Sequence, residues 1–177
     1  MMRHLTPADY RRMPWANGRG VTVELWREEV AGQLSLRLSM ATVAEDGPFS
    51  LFPGIDRVLT VISGPGFDLL GEGLRLRADL LCPVAFPGDV ALAAVGVTGS
   101  SEDFNVMTAR GGLRAGVEVL TAGGSFDAKR VFVFALGPTD LLAEGTSLHL
   151  STHDLVETAG RGLIEAGGPV LAAALDG

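Results

Sequence analysis

A stretch of this chain beginning at Arg57 recurs, in the same order, from Arg130. Arg57-Val58-Leu59-Thr60-Val61-Ile62-Ser63-Gly64-Pro65 can be laid over Arg130-Val131-Phe132-Val133-Phe134-Ala135-Leu136-Gly137-Pro138. After one deletion, Asp68-Leu69-Leu70-Gly71-Glu72-Gly73 matches Asp140-Leu141-Leu142-Ala143-Glu144-Gly145, and Leu74-Arg75-Leu76 matches Leu148-His149-Leu150. Gly88-Asp89-Val90-Ala91 then falls on Gly168-Pro169-Val170-Leu171. Each copy reads as strand, Gly-Pro turn, short strand, Glu-Gly turn, strand, loop and a glycine turn before a last strand. Matches in one order point to duplication rather than to chance similarity of two glycine-rich segments.

A hairpin unit of roughly 45 residues cannot bury its own apolar faces, whereas two units built as antiparallel barrels cover their edges. A Gly-Pro turn after the first strand and a glycine before the last are marks of cupin-like barrels. The expected fold is therefore all-β: a double cupin of two antiparallel β-barrels made by internal duplication. Residues 1–110 are expected to form the first cupin, including the amino-terminal strands, and residues 111–177 the second, in one compact body. Composition agrees, with 24 glycines among 177 residues, roughly twice the usual ~7%. Leu34-Ser35-Leu36-Arg37-Leu38-Ser39-Met40 alternates strictly between apolar and polar, which predicts a strand between two environments. Val58–Ile62, Val84–Phe86, Val90–Val95, Phe104–Thr108 and Val131–Leu136 read as further strands. Helical periodicity is confined to a turn near Thr6-Pro7 and a second candidate at His153–Ala159.

Charge and composition remove several function classes. The 14 Lys and Arg stand against 21 Asp and Glu, and the basic residues do not cluster, so no nucleic-acid partner is expected. No apolar run approaches the ~18 residues needed to cross a bilayer, and the start lacks the apolar centre of a signal peptide. The expectation is a cytoplasmic protein without a membrane partner. The single cysteine, Cys82, lies between Leu81 and Pro83 and reads as a buried, inert thiol. The histidines are His4, His149 and His153, and the stretch from Arg57 to Val95 holds none. On a strand, His149 and His153 would stand roughly 13 Å apart at ~3.3 Å per residue. They are expected to be structural or surface residues, with no metal and no cofactor bound.

What remains is a set of polar residues in unusual places. In Met13-Pro14-Trp15-Ala16-Asn17-Gly18-Arg19-Gly20, Asn17-Gly18 is a turn signal, and Trp15 either plugs one end of a barrel or lines a pocket. In the strand from Arg57, alternation places either Arg57 or Asp56 beside apolar side chains. Arg57 in that position needs a carboxylate partner, from the protein or from a ligand. Asp103 and Asn105 share one face of the strand that follows Glu102. There they either bind a small polar molecule or tie down a loop.

These segments carry a resemblance. Met13-Pro14-Trp15, Asn17-Gly18, Leu36 to Ala41, Gly47-Pro48-Phe49-Ser50, Phe52-Pro53-Gly54-Ile55-Asp56-Arg57, Phe86-Pro87-Gly88-Asp89 and Asp103-Phe104-Asn105-Val106-Met107 follow in the order seen in the HutD/Ves family of bacterial proteins. The resemblance runs from about Met13 to Arg110 and implies a double-cupin fold. HutD is associated with histidine-utilisation genes and Ves with a stress response, and the family has no established reaction. The implied role is binding a small carboxylate of histidine breakdown, such as N-formylglutamate or formate, as an accessory or regulatory factor rather than an enzyme. Carried over by position, the pocket is Trp15, Asn17, Arg57, Asp103 and Asn105. Arg57 would grip a carboxylate, the two Asn side chains would bond carbonyl or amide groups, and Trp15 would supply an apolar wall. The chain departs from the family pattern at Ala16, Arg19 and Val23, where Lys, Gly and Arg are usual. The rival expectation is a cofactorless isomerase or hydrolase with Asp103 as base. Exposed sheet edges also allow a homodimer.

Overall fold

The computed structural model describes residues 1–15 and 20–177. Among these are seventeen strands, one short 3₁₀ turn (Pro7–Asp9) and no α-helix. In chain order the strands are β1 (Arg3–Leu5), β2 (Arg11–Pro14), β3 (Val21–Val30), β4 (Gln33–Val43), β5 (Gly47–Pro48), β6 (Ile55–Ser63), β7 (Phe67–Gly71), β8 (Leu74–Ala78) and β9 (Val84–Pro87). There follow β10 (Leu92–Val95), β11 (Ser101–Ala109), β12 (Arg114–Leu120), β13 (Ser125–Ala135), β14 (Thr139–Ala143), β15 (Thr146–Leu150), β16 (Leu155–Gly167) and β17 (Val170–Asp176). The chain divides into two units, Arg11–Leu113 and Met1–Tyr10 with Arg114–Gly177.

In the first unit a six-stranded antiparallel sheet runs β2-β3-β4-β11-β6-β9, and a four-stranded one runs β5-β10-β7-β8. Leu59, Val61 and Phe86 of the former pack with Phe67, Leu69, Ala78, Leu92 and Ala94 of the latter in one cluster. In the second unit the order is β12-β17-β13-β16-β14-β15, with β1 added to β16. This sheet curls on itself, so that Val131, Val133 and Ala135 of β13 meet Leu141, Leu150, Val156, Ile164 and Val170. Among the described residues the strand pairs of neither unit close into a ring.

The two units share one plan. The order β4-β11-β6-β9, continued by β10-β7-β8, corresponds to β12-β17-β13-β16-β14-β15. The long β16 does alone what β9 and β10 do together, because it pairs with both β13 and β14. Three expectations change. The Gly88 segment lies between β9 and β10, whereas Gly168 leads into β17, the counterpart of β11, so that part of the repeat matched two different turns. His153–Ala159 is not helical: His153 has a φ of 70°, and β16 starts two residues later. Residues 1–10 belong with the carboxy-terminal unit, because Arg3, His4 and Leu5 pair with Glu157, Val156 and Leu155. Two bonds reinforce that pairing: His4 Nε2 to Asp154 Oδ2 at 2.9 Å, and Tyr10 Oη donating to the His153 carbonyl at 2.6 Å.

The aligned first strands also differ by one residue in facing. Arg57, Leu59 and Val61 look into the first unit, with Leu59 and Val61 in its core cluster. In the second unit the inward positions are Val131, Val133 and Ala135, while Phe132 and Phe134 occupy the other face. Arg130, the sequence counterpart of Arg57, therefore lies on that other face. There its guanidinium carbon sits 5.0 Å from the Phe132 ring and it pairs with Glu157 at 2.6 Å. A one-residue slip in a strand exchanges its two faces.

Candidate functional site

The inner face of the six-stranded sheet carries polar side chains in rows set by strand register. One row runs Met13, Thr22, Ala41, Asp103, Val61. The next runs Glu24, Ser39, Asn105, Leu59, Val84, and the third Arg37, Met107, Arg57, Phe86. Beside these rows lies a partly open cavity of about 630 Å³, lined by Trp15, Arg37, Arg57, Asp103, Asn105 and Phe49 among others.

The strand of alternating Leu and Ser/Arg thus has both faces covered. Leu36 and Leu38 are fully buried on one side, and Arg37 and Ser39 are buried on the other, against the cavity. A polar strand face normally meets bulk solvent, but here it meets a partly open cavity.

Arg57 is 6% exposed, and Asp56 is the charge that faces water, where it pairs with Arg110 at 2.9 Å. The Arg57 guanidinium carbon stands 5.4, 5.4 and 5.0 Å from the ring centres of Phe49, Phe52 and Phe86, distances at which aromatic faces attract a cation. Nη2 donates to Asn105 Oδ1 at 2.8 Å, while Nε is buried without a partner. Burial pulls the Arg57 pKa down to about 10; Asp103 opposes that shift and Arg37 adds to it. The group stays cationic at neutral pH.

Asn105 links two charges. Its Oδ1 accepts from Arg57, and its Nδ2 donates to Asp103 Oδ1. Asp103 is 1% exposed. Burial pushes its carboxyl up to about 7, against the pull of Arg57 and the Asn105 bond and with a small push from Glu102. Arg37 differs from Arg57 in having a carboxylate of its own, with Nε donating to Glu24 Oε2 at 2.7 Å. Asp46 at the rim accepts from the backbone N–H groups of Gly96 and Val97. Arg57 is left as the buried cavity cation held by an amide.

Trp15 lies along the cavity wall, its Nε1 donating to Thr22 Oγ1 at 2.9 Å. The ring rests on Gly20, where a Cβ would come within 2.8 Å of Trp15 Cε3. Of the five expected site residues, Trp15, Arg57, Asp103 and Asn105 come together around this cavity. Asn17 lies outside the described residues, as do Ala16 and Arg19.

Sequence reasoning missed Arg37, Glu24 and the aromatic cage. Arg37 was legible in principle, because it shares its polar face with Ser39 on a strand flanked by buried positions. Phe49 and Phe52 come from an irregular segment whose facing no periodicity encodes. That segment is fixed by backbone bonds, with Phe49 N–H donating to the Leu92 carbonyl and Phe52 N–H to the Gly88 carbonyl.

Elsewhere, Cys82 is exposed rather than buried, because it sits in the turn between β8 and β9, where its N–H donates to the Asp79 carbonyl. His149 pairs with Asp140 at 2.7 Å, and His153 stacks on Phe134 at 5.4 Å. Among the described residues no three His, Cys, Asp or Glu side chains are grouped to hold a metal ion. No helix among them is long and apolar enough to cross a membrane.

Comparison with known proteins places the chain. The HutD family model matches residues 7–168. A Pseudomonas putida protein described as an uncharacterized 21.2 kDa protein in the hutC 3′ region is 39% identical over 108 residues, covering 59% of this chain and 57% of its own. The protein Ves of Cronobacter sakazakii is 36% identical, covering 63% of this chain and 64% of its own. The chain thus spans less than two thirds of the length of either relative. The solved structure of HutD from Pseudomonas fluorescens SBW25 is 30% identical with a TM-score of 0.84, covering 99% of this chain and 98% of that one. A cupin 2 conserved barrel protein of Leptotrichia buccalis shares the fold alone, with a TM-score of 0.60 at 9% identity and 89% coverage of each chain.

Proposed function

Because the chain belongs to the HutD family and has its double-cupin fold, we propose that the cavity of the Arg11–Leu113 unit binds a small carboxylate. In this proposal the protein serves as an accessory or regulatory factor of histidine breakdown. The observation that carries this is Arg57: a buried cation with an unpartnered Nε, held by an amide and caged by three aromatic rings at a cavity of about 630 Å³. A buried guanidinium is costly unless an anion completes its hydrogen bonds, and a carboxylate matches its fork in two parallel bonds. Arg57 grips the carboxylate, Asn105 fixes the Arg57 plane, and Trp15 forms an apolar wall. The cavity volume is in the range of small-molecule sites. The P. fluorescens HutD is described in a formate condition, which makes formate the first probe, and N-formylglutamate adds an amide and a second acid group.

Calorimetry with formate, N-formylglutamate, urocanate and histidine tests this. The expected result is saturable binding of at least one carboxylate, weakened a hundredfold or more in Arg57→Ala. No binding at millimolar ligand, or equal binding by Arg57→Ala, overturns it.

A second reading rests on Asp103. A buried carboxyl titrating near 7 has the basicity of a general base, which fits a cofactorless isomerase or hydrolase. Turnover of a histidine-pathway intermediate, lost in Asp103→Asn, would establish this reading instead.

A further inference from the structure

We infer that the site takes up one proton with its anionic guest, and that Asp103 is the residue that holds it. This rests on the carboxylate-binding role proposed above and adds to it the proton bookkeeping of the same site.

The geometry sets two acids in competition for one cation. Asp103 reaches Arg57 through the Asn105 amide rather than by direct contact. A guest anion must approach the same guanidinium from the cavity that Arg57 lines, because Nε itself is buried. An ionised Asp103 and an ionised guest would then share the charge of Arg57, since Arg37, the other guanidinium on the cavity wall, is already paired with Glu24. Like charges so placed disfavour one another, and the more basic of the two, here the buried Asp103, takes the proton. The amide needs no rearrangement for this, because Asn105 Nδ2 donates equally well to a carboxylate oxygen and to the carbonyl oxygen of a neutral acid.

The other charged groups of the cavity do not offer the same response. On β3 and β4, Glu24 is already held by Arg37 at 2.7 Å. Past the end of β4, Glu45 and Asp46 are exposed, and Asp46 accepts two backbone N–H groups. On β6 the only charge facing inward is Arg57 itself. Glu102, next to Asp103 on β11, points to the other face, where it accepts from Ser63 at 3.1 Å. The immediate cross-strand neighbours of Asp103, Ala41 and Val61, are apolar. Asp103 is thus the cavity acid that is both buried and without a cation in contact.

The test is calorimetric titration of the wild-type chain with sodium formate from pH 6 to 9, run in MOPS and in imidazole, whose ionisation enthalpies differ. Formate is ionised throughout that range, so any proton taken up comes to the protein. The expected result is an uptake approaching one proton per formate at pH 8 and little at pH 6. Affinity should weaken by up to tenfold per pH unit above about 7, where the free protein's Asp103 ionises. Asp103→Asn should abolish both the uptake and the pH dependence. Carbon NMR of the Asp carboxyls is a readout that needs no variant: one buried carboxyl should titrate near 7 in the free protein and remain protonated to higher pH with formate bound. Formate binding with equal heats in both buffers and affinity flat with pH overturns the inference and leaves the carboxylate reading standing. Proton uptake that persists in Asp103→Asn overturns it as well. Absence of formate binding at every pH overturns the inference, and the carboxylate reading falls with it when N-formylglutamate, urocanate and histidine also fail to bind.

Discussion

Asp103 and Arg57 show how much a single buried charge depends on its surroundings. Each has moved toward its neutral form, because removal from water penalises charge more than the relay through Asn105 restores. For Asp103 this has a consequence for stability with a definite sign. The unfolded chain releases this proton near pH 4 and the folded chain near pH 7, so between those values the folded state binds more protons. Stability therefore falls as pH rises through that interval, by up to about 4 kcal/mol for this one group. Asp103→Asn removes that slope. Urea unfolding of wild type and variant should give similar midpoints near pH 4, with the variant increasingly the more stable toward pH 8. A wild-type advantage that grows with pH would contradict the assignment. At this scale the sequence was partly legible. Alternation put Arg57 with Leu59 and Val61, and Asp103 with Asn105, and the structure keeps both groupings. It could not say that an amide would stand between the two charges, because Arg57 and Asn105 lie on different strands. Their meeting depends on the register of β6 against β11, where Arg57 is opposite Met107 and Asn105 opposite Leu59.

Among the elements, the strands were easy to read and their junctions were not. Strict alternation located β4, and Val, Ile and Phe runs located β6, β11 and β13, since a side-chain period of two follows directly from strand geometry. The Gly-Pro turn after β6 was also legible, and the structure shows what it requires. Gly64 has a φ of 89°, and a Cβ there would come within 2.2 Å of the Ser100 carbonyl oxygen. Gly64→Ala should therefore cost about 2–3 kcal/mol, measurable as a lowered urea midpoint with unchanged slope. An effect below about 0.5 kcal/mol would show that the β6–β7 turn relaxes around the methyl group. The sequence separated β9 from β10, reading strands at Val84–Phe86 and Val90–Val95, but not what holds the junction between them. Gly88 packs against the carbonyls of Ile55 and Phe52, where a Cβ would stand 2.8 and 2.9 Å away. That close approach is a tertiary fact, and a glycine beside an aspartate reads the same way in any turn. Arg110 closes the same corner by pairing with both Asp56 and Asp89. The bonds are made across 54 and 21 residues of chain, beyond what local pattern can encode.

For the whole molecule, the duplication visible in the sequence is real in strand order and misleading in detail. Both units follow one plan, yet the cavity with the caged arginine belongs to the first, while the second has a core of Val, Leu, Ile and Ala side chains and a more open space of about 600 Å³ beside Phe126, Asp127 and Arg161. Hydrogen exchange should report that asymmetry. Saturating formate is expected to slow amide exchange in β4, β6 and β11 and to leave β13, β16 and β17 unchanged beyond any global stabilisation. At a hundred times Kd a guest adds about 2.7 kcal/mol to the unit that holds it. Protection confined instead to Arg114–Gly177 would move the site to the other unit. The offset between Arg57 and Arg130 gives the asymmetry its permanence. A lost side chain can be regained by changing one codon, but here the two inherited strands are out of phase. A receptor in the second half could not use the inherited Arg130 and would need a new cation at an inward position such as Val131, so the two halves hold no common charge through which to regain equivalence.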